Sequence, residues 1–63
     1  MKNRIQELRH QKGITIQDLG LALSIPQNSL AEYEMGLVPL TDEILLKIAA
    51  FFDVPVGYIL FAK

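Results

Sequence analysis

Three observations predict an all-α fold for this chain. Apolar residues recur at helical spacing, as in Ile5/Leu8, Ile16/Leu19/Leu23 and Ile44/Leu45/Ile48/Phe52. No stretch alternates apolar with polar residues as a half-buried strand would. The periodic segments are punctuated by Gly13, Ser24-Ile25-Pro26, Gly36 and Asp53-Val54-Pro55, with Thr15 and Thr41 where caps belong. Together these give five short helices in a single domain over residues 1–63.

The first helix is expected over roughly residues 2–11, with Ile5 and Leu8 one turn apart among charged and amide side chains. Gly13 follows as its left-handed terminator. Thr15 stands at the next N-cap, its hydroxyl placed to accept an orphan N–H. Ile16, Leu19, Gly20 and Leu23 then share one face of the second helix. Pro26 suits the first position of a third helix over about 26–35, where no N–H is required, with Leu30 and Tyr33 inward and Gly36 beyond its end. Leu37-Val38-Pro39-Leu40 is a connector, unusual in being apolar. Thr41 caps a fourth helix whose first turn carries Asp42 and Glu43, the sign that suits its dipole. Val56, Ile59 and Leu60 support a short last helix.

Composition narrows the function. With 63 residues the chain holds one small core, and no cysteine is present for disulfides, thiolate metal sites or a thiol nucleophile. His10 is the sole histidine, read as a solvated residue of the first helix rather than a metal ligand. Asp42 and Glu43 compensate a helix dipole, and no nucleophile, base and orienting group assemble into a catalytic set. No catalytic residue, metal or cofactor is expected. The charged amino terminus lacks the apolar run of a secretory signal, and no apolar stretch is long enough to span a bilayer, so a cytoplasmic protein without a membrane partner is expected. Net charge is −1, with no basic excess to announce nucleic acid.

Two short helices joined by a tight turn, the second ending in Glu-Met-Gly, form a helix-turn-helix pattern over about residues 16–35. The run from Leu8-Arg9 through Gly13-Ile14-Thr15, Leu19, Leu23, Ile25, Leu30, Tyr33-Glu34 and Gly36 resembles the XRE family, the lambda-type repressor and Cro helix-turn-helix. Ile44-Leu45-Leu46-Lys47-Ile48-Ala49, Val54 and Tyr58-Ile59-Leu60 match the family's last two helices, so the resemblance covers essentially the whole chain.

The resemblance implies a lambda repressor-like fold and a transcriptional regulator that binds double-stranded DNA as a homodimer. It places the second motif helix in the major groove, with Gln27 and Asn28 as base readers and Glu32 one turn further on. A Gln or Asn amide offers a donor and an acceptor side by side, which fits adenine N6 and N7. Ser29, Thr15 and Gln17 are further candidate contacts to DNA. Arg9 matches the family's first-helix arginine, which pairs with the glutamate matched by Glu34.

Several residues depart from that pattern. From Gly13 to Leu46 there is neither Lys nor Arg, while Asp18, Glu32, Glu34, Asp42 and Glu43 give the stretch a formal charge of −5. Ile16 stands where the family usually has a phosphate-contacting Gln, and Met35 where Asn is common. Leu37 and Val38 fill a loop where Lys and Arg are frequent, and Leu40 falls where Pro is usual. Leu21 lies about 200° round the wheel from Leu19 and Leu23. These six residues are candidates for a protein-binding patch, although Ile16 and Leu40 also fit the core. Phe51 and Phe61 are candidates for a dimer seam.

Two functions follow. The first is an XRE-type regulator whose own DNA affinity is weak or partner-dependent. The second is a scaffold that has left DNA and regulates through protein contact, in the manner of an antirepressor; an interface engineered onto the scaffold would look the same in sequence.

Overall fold

The computed structural model describes residues 3–60 of the chain, so Lys2 and the dimer-seam candidate Phe61 lie outside the described residues. Five helices run in order: α1 (Ile5–Lys12), α2 (Ile16–Leu23), α3 (Gln27–Met35), α4 (Asp42–Phe52) and α5 (Val56–Leu60). There is no strand among the described residues.

The helix starts follow side-chain chemistry. Helix α1 begins later than the periodicity suggests, because the Ile5 N–H donates to Asn3 Oδ1 at 3.1 Å and the Arg4 N–H leaves for the Ile59 carbonyl at 3.0 Å. Thr15 caps α2 through a reciprocal pair: Asp18 N–H donates to Thr15 Oγ1 at 3.0 Å, and Thr15 N–H to Asp18 Oδ2 at 3.1 Å. Pro26 stands at the N-cap of α3 rather than inside it. Thr41 caps α4 by accepting the Ile44 N–H at 3.2 Å.

The first four helices all end alike. Gly13, Ser24, Gly36 and Asp53 adopt the left-handed conformation, at φ 70°, 58°, 74° and 56°. In each case the next residue reaches back to the last turn, as in Ile14 N–H to Arg9 O at 3.2 Å and Leu37 N–H to Glu32 O at 3.0 Å. This is the Schellman arrangement, which satisfies orphan carbonyls and places an apolar residue just past the helix.

The core draws on every helix: Ile5, Leu8, Leu19, Leu23, Leu30, Leu45, Ile48, Ala49, Phe52 and Ile59, with Ile25 from the motif turn. Helix α2 packs on α3 and on α4, and α5 on α4. Gly20 allows the tight turn, since a methyl group there would stand 2.7 Å from the Ile25 carbonyl oxygen. The core thus fixes the angle between α2 and α3, and with it what α3 presents to the outside.

Candidate nucleic-acid interface

The outer face of α3 opens on its first turn. Gln27 and Asn28 are exposed there, Ser29 is half-buried, and Glu32 is exposed one turn further along. Gln17 is also exposed, and with Leu21, Ile25, Pro26 and Gln27 it lines a depression of about 500 Å³ where α2 meets α3. The fold therefore brings two glutamine amides from different helices to one corner. Thr15 is exposed, and its hydroxyl oxygen accepts the Asp18 N–H while its proton stays available to an outside acceptor. The Asp18 carboxylate beside it places negative charge at the start of α2.

Behind this face Arg9 and Glu34 form a bidentate pair, with Nε donating to Oε2 at 2.8 Å and Nη2 to Oε1 at 3.1 Å. Arg9 also donates to the Ile14 carbonyl at 3.2 Å. The hydrogen bond to Glu34 pushes the Arg9 pKa further above its already high ordinary value, charge attraction adding to it and partial desolvation opposing. Glu34 is the one buried charged residue among those described, and the pair accounts for it.

The remaining described cations are also engaged within the chain. Arg4 donates to the Tyr58 carbonyl at 2.7 Å and lies 4.3 Å from the centre of the Tyr58 ring. Lys12 Nζ sits 5.8 Å from the centre of the Phe51 ring. Lys47 donates to the Leu23 carbonyl at 3.0 Å, at the negative end of α2.

The apolar candidates divide. Ile16 and Leu40 are half-buried against the core. Ile16 continues the face of Leu19 and Leu23, and Leu40 keeps a partly exposed edge on a groove beside Leu37. Leu21, Leu37 and Met35 remain 75%, 68% and 61% exposed, and Val38 is exposed too. They do not form one surface: Leu21 belongs to the α2–α3 corner, whereas Leu37, Val38 and Leu40 line a separate groove with Asn3 and Leu60. Phe51 packs edge-on against Phe52 with ring centres 5.0 Å apart, so much of its ring is already covered.

A helix-turn-helix family model matches residues 5–59. The chain belongs to the XRE-type helix-turn-helix family. This makes it a member of a DNA-binding regulatory family rather than a catalytic one. No curated protein matches it. Among the described residues of this XRE-type domain, no group of acidic, His or Cys side chains could hold a metal ion, and no helix is long and apolar enough to cross a membrane.

Sequence reasoning missed three features of the domain. The Arg4–Tyr58 contact, which Tyr58 extends with a hydroxyl hydrogen bond to Glu7 at 3.4 Å, joins residues far apart in the chain and left no local signal. The pairing of Asp18 with Thr15 was available as a Thr-x-x-Asp spacing. Leu46, outside the Ile44/Leu45/Ile48/Phe52 face of α4, is 60% exposed beside Ala50, Val54 and Val56 in a shallow apolar depression.

Proposed function

We propose that this XRE-type domain regulates transcription by reading DNA through the first turn of α3, with Gln27 and Asn28 on base edges and Ser29, Thr15 and Gln17 setting register. Its own affinity is weak, and a second subunit of a homodimer or another protein raises it. One observation carries the reading: the first turn of α3 offers exposed amides, while α2 and α3 carry no cation and the nearest arginine behind them, Arg9, is paired with Glu34. Affinity for DNA comes mostly from phosphate neutralisation by Lys and Arg, and amides supply selectivity with little affinity. Glu32 and Asp18 subtract further by bringing carboxylates toward a polyanion.

A second reading is loss of DNA binding in favour of a protein partner. It is favoured by the exposed Leu21, Met35, Leu37 and Val38, the last two in a loop where the resemblance implies Lys and Arg. Fluorescence anisotropy of a mixed-sequence duplex at about 20 mM and about 200 mM salt separates the two. The first reading expects binding at low salt that weakens at high salt. No binding at low salt sinks it and leaves the protein-contact reading.

A further inference from the structure

We propose that Asn3 and Arg4 form a strap that holds α5 shut, and that α5 opens as a unit of its own while the rest of the domain stays folded. The starting point is a residue that serves two helices at once. The Arg4 carbonyl accepts the Leu8 N–H at 2.9 Å and so starts α1, while the Arg4 N–H donates to the Ile59 carbonyl at 3.0 Å. Its guanidinium donates to the adjoining Tyr58 carbonyl at 2.7 Å and lies 4.3 Å from the centre of the Tyr58 ring. Arg4 therefore begins one helix and closes the last turn of another.

Helices α1 to α4 end differently. Their last carbonyls are met by the residues that follow in the chain, as in Ile25 N–H to Gly20 O at 2.9 Å and Val54 N–H to Ala49 O at 3.1 Å. For α5 the donors come from α1, and Arg4 and Tyr58 are 54 residues apart. With five residues α5 has little stability of its own, since isolated helices shorter than about 12–15 residues are marginal in water. Ile59 is its one buried side chain; Val56 and Tyr58 are exposed and Leu60 is half-buried. The Tyr58 hydroxyl reaches Glu7 at 3.4 Å, too long for a strong bond. Arg4 and Ile59 thus carry most of what keeps α5 in place against α4.

Asn3 anchors the strap. Its Oδ1 accepts the Ile5 N–H at 3.1 Å, and its Nδ2 donates to the Tyr33 carbonyl on α3 at 2.8 Å. Held at both ends, it presents Arg4 to α5 already oriented. The angle between α2 and α3 rests on other contacts, with α2 packed on α3 and α4 and Gly20 close against the Ile25 carbonyl. Opening α5 withdraws Ile59 from the core and leaves those contacts in place. Local openings of this kind draw on the least stable element of a fold. The domain then has one element that can change shape while the motif keeps its geometry, whether or not α3 reads DNA.

Amide hydrogen exchange of the full chain, read residue by residue by NMR, tests the strap. In the wild type the α5 amides are expected to exchange roughly tenfold or more faster than those of Leu23, Leu30 and Ile48. Their rates should also depend less steeply on urea, because a local opening exposes less surface than global unfolding. Arg4→Met should speed exchange across α5 by roughly a further tenfold, and Arg4→Lys, which keeps a cation and a donor, by less. Thr15→Ala removes the α2 cap, a contact that survives when α5 opens. It should speed Leu23 and Leu30 severalfold and leave α5 within about twofold. Should Arg4→Met fail to fold, faster α5 exchange in Arg4→Lys carries the same test. The proposal is overturned if wild-type α5 amides match the slowest set in rate and urea slope. It is equally overturned if neither Arg4 variant speeds α5, or if Thr15→Ala speeds α5 as much as the core.

Discussion

Arg9 on α1 grips Glu34 on α3 through two parallel hydrogen bonds of 2.8 and 3.1 Å, across 25 residues of sequence. The pair fastens α3 to α1, and it occupies the guanidinium of Arg9. Its side chains are only 12% and 7% exposed. Removing one partner leaves a charge stranded in poorly solvated surroundings, a loss of about 3–5 kcal/mol for a fully buried pair. In a domain this small water is never far, which places the cost at about 3 kcal/mol. Arg9→Met should therefore unfold much of the population, and Arg9→Met with Glu34→Met should recover most of the loss. Urea titration measures both; equal destabilisation by the single and double variants would show that the pair does not act as a unit.

The same pair predicts a pH response by its sign. A group whose folded-state pKa is raised stabilises fully below its unfolded pKa, and the contribution fades only above the folded value. For Arg9 both limits lie beyond the ordinary alkaline range, because the hydrogen bond to Glu34 raises a pKa that is already high. The advantage that Arg9 gives wild type over Arg9→Met should be constant between about pH 7 and 9. A loss of that difference across the window would mean that another titrating group controls the pair.

Ser24 predicts a gain in stability. Its φ of 58° is a left-handed conformation that costs an ordinary L-residue roughly 1–2 kcal/mol. Glycine removes that strain but loses more entropy on folding, so Ser24→Gly should stabilise by about 0.5–1 kcal/mol, a few degrees in Tm. Asp53→Gly, at φ 56°, should gain less, because Asp tolerates this region better than Ser. Thermal unfolding by circular dichroism ranks the two; no gain at Ser24 would show that its backbone carries no strain.

How far the sequence spoke depended on distance along the chain. Helical period placed Leu19, Leu23, Leu30, Ile48 and Ile59 inside, and local chemistry marked Thr15, Thr41, Gly13 and Gly36 as helix boundaries. Ser24 was obscured by Pro26 two residues on, although the helix ends at Ser24 because its backbone turns left-handed there. The wheel ranks positions within a helix but says nothing of a connector, so Leu40 fits either the core or an outer patch in sequence, and the structure shows it half-buried against the core while Leu37 stays exposed. The candidate site was legible as residue types, through the resemblance. What occupies its cations was not, because Lys47 finds the Leu23 carbonyl 24 residues away and Arg4 finds Tyr58 at 54.

Gln27 should carry selectivity with little effect on nonspecific binding. If its amide reads an adenine, Gln27→Ala costs roughly 1–3 kcal/mol on a selected operator and relaxes the preference at one base pair. Binding to random duplex should hardly change, since no charge is lost. Operator selection from a random pool with wild type and variant is the measurement. Identical base preferences in the two pools would remove Gln27 from the reading helix.

Glu32 should do the reverse. It is exposed on α3 about one turn beyond Gln27 and Asn28, and on the proposed reading its carboxylate lies near the duplex. Within a Debye length of about 8–10 Å, a fixed negative charge repels phosphate whatever the base sequence. Glu32→Lys removes that charge and adds a cation able to release about one counterion from DNA. Affinity for random duplex should therefore rise at low salt, and the slope of log K against log salt should steepen by about 1. Because the side chain is exposed and Arg9 engages Glu34 rather than Glu32, the fold should be unaffected. A variant that stays folded with neither affinity nor slope changed would place this face of α3 away from the phosphate backbone. The carboxylates of the motif would then have to be explained by a protein partner.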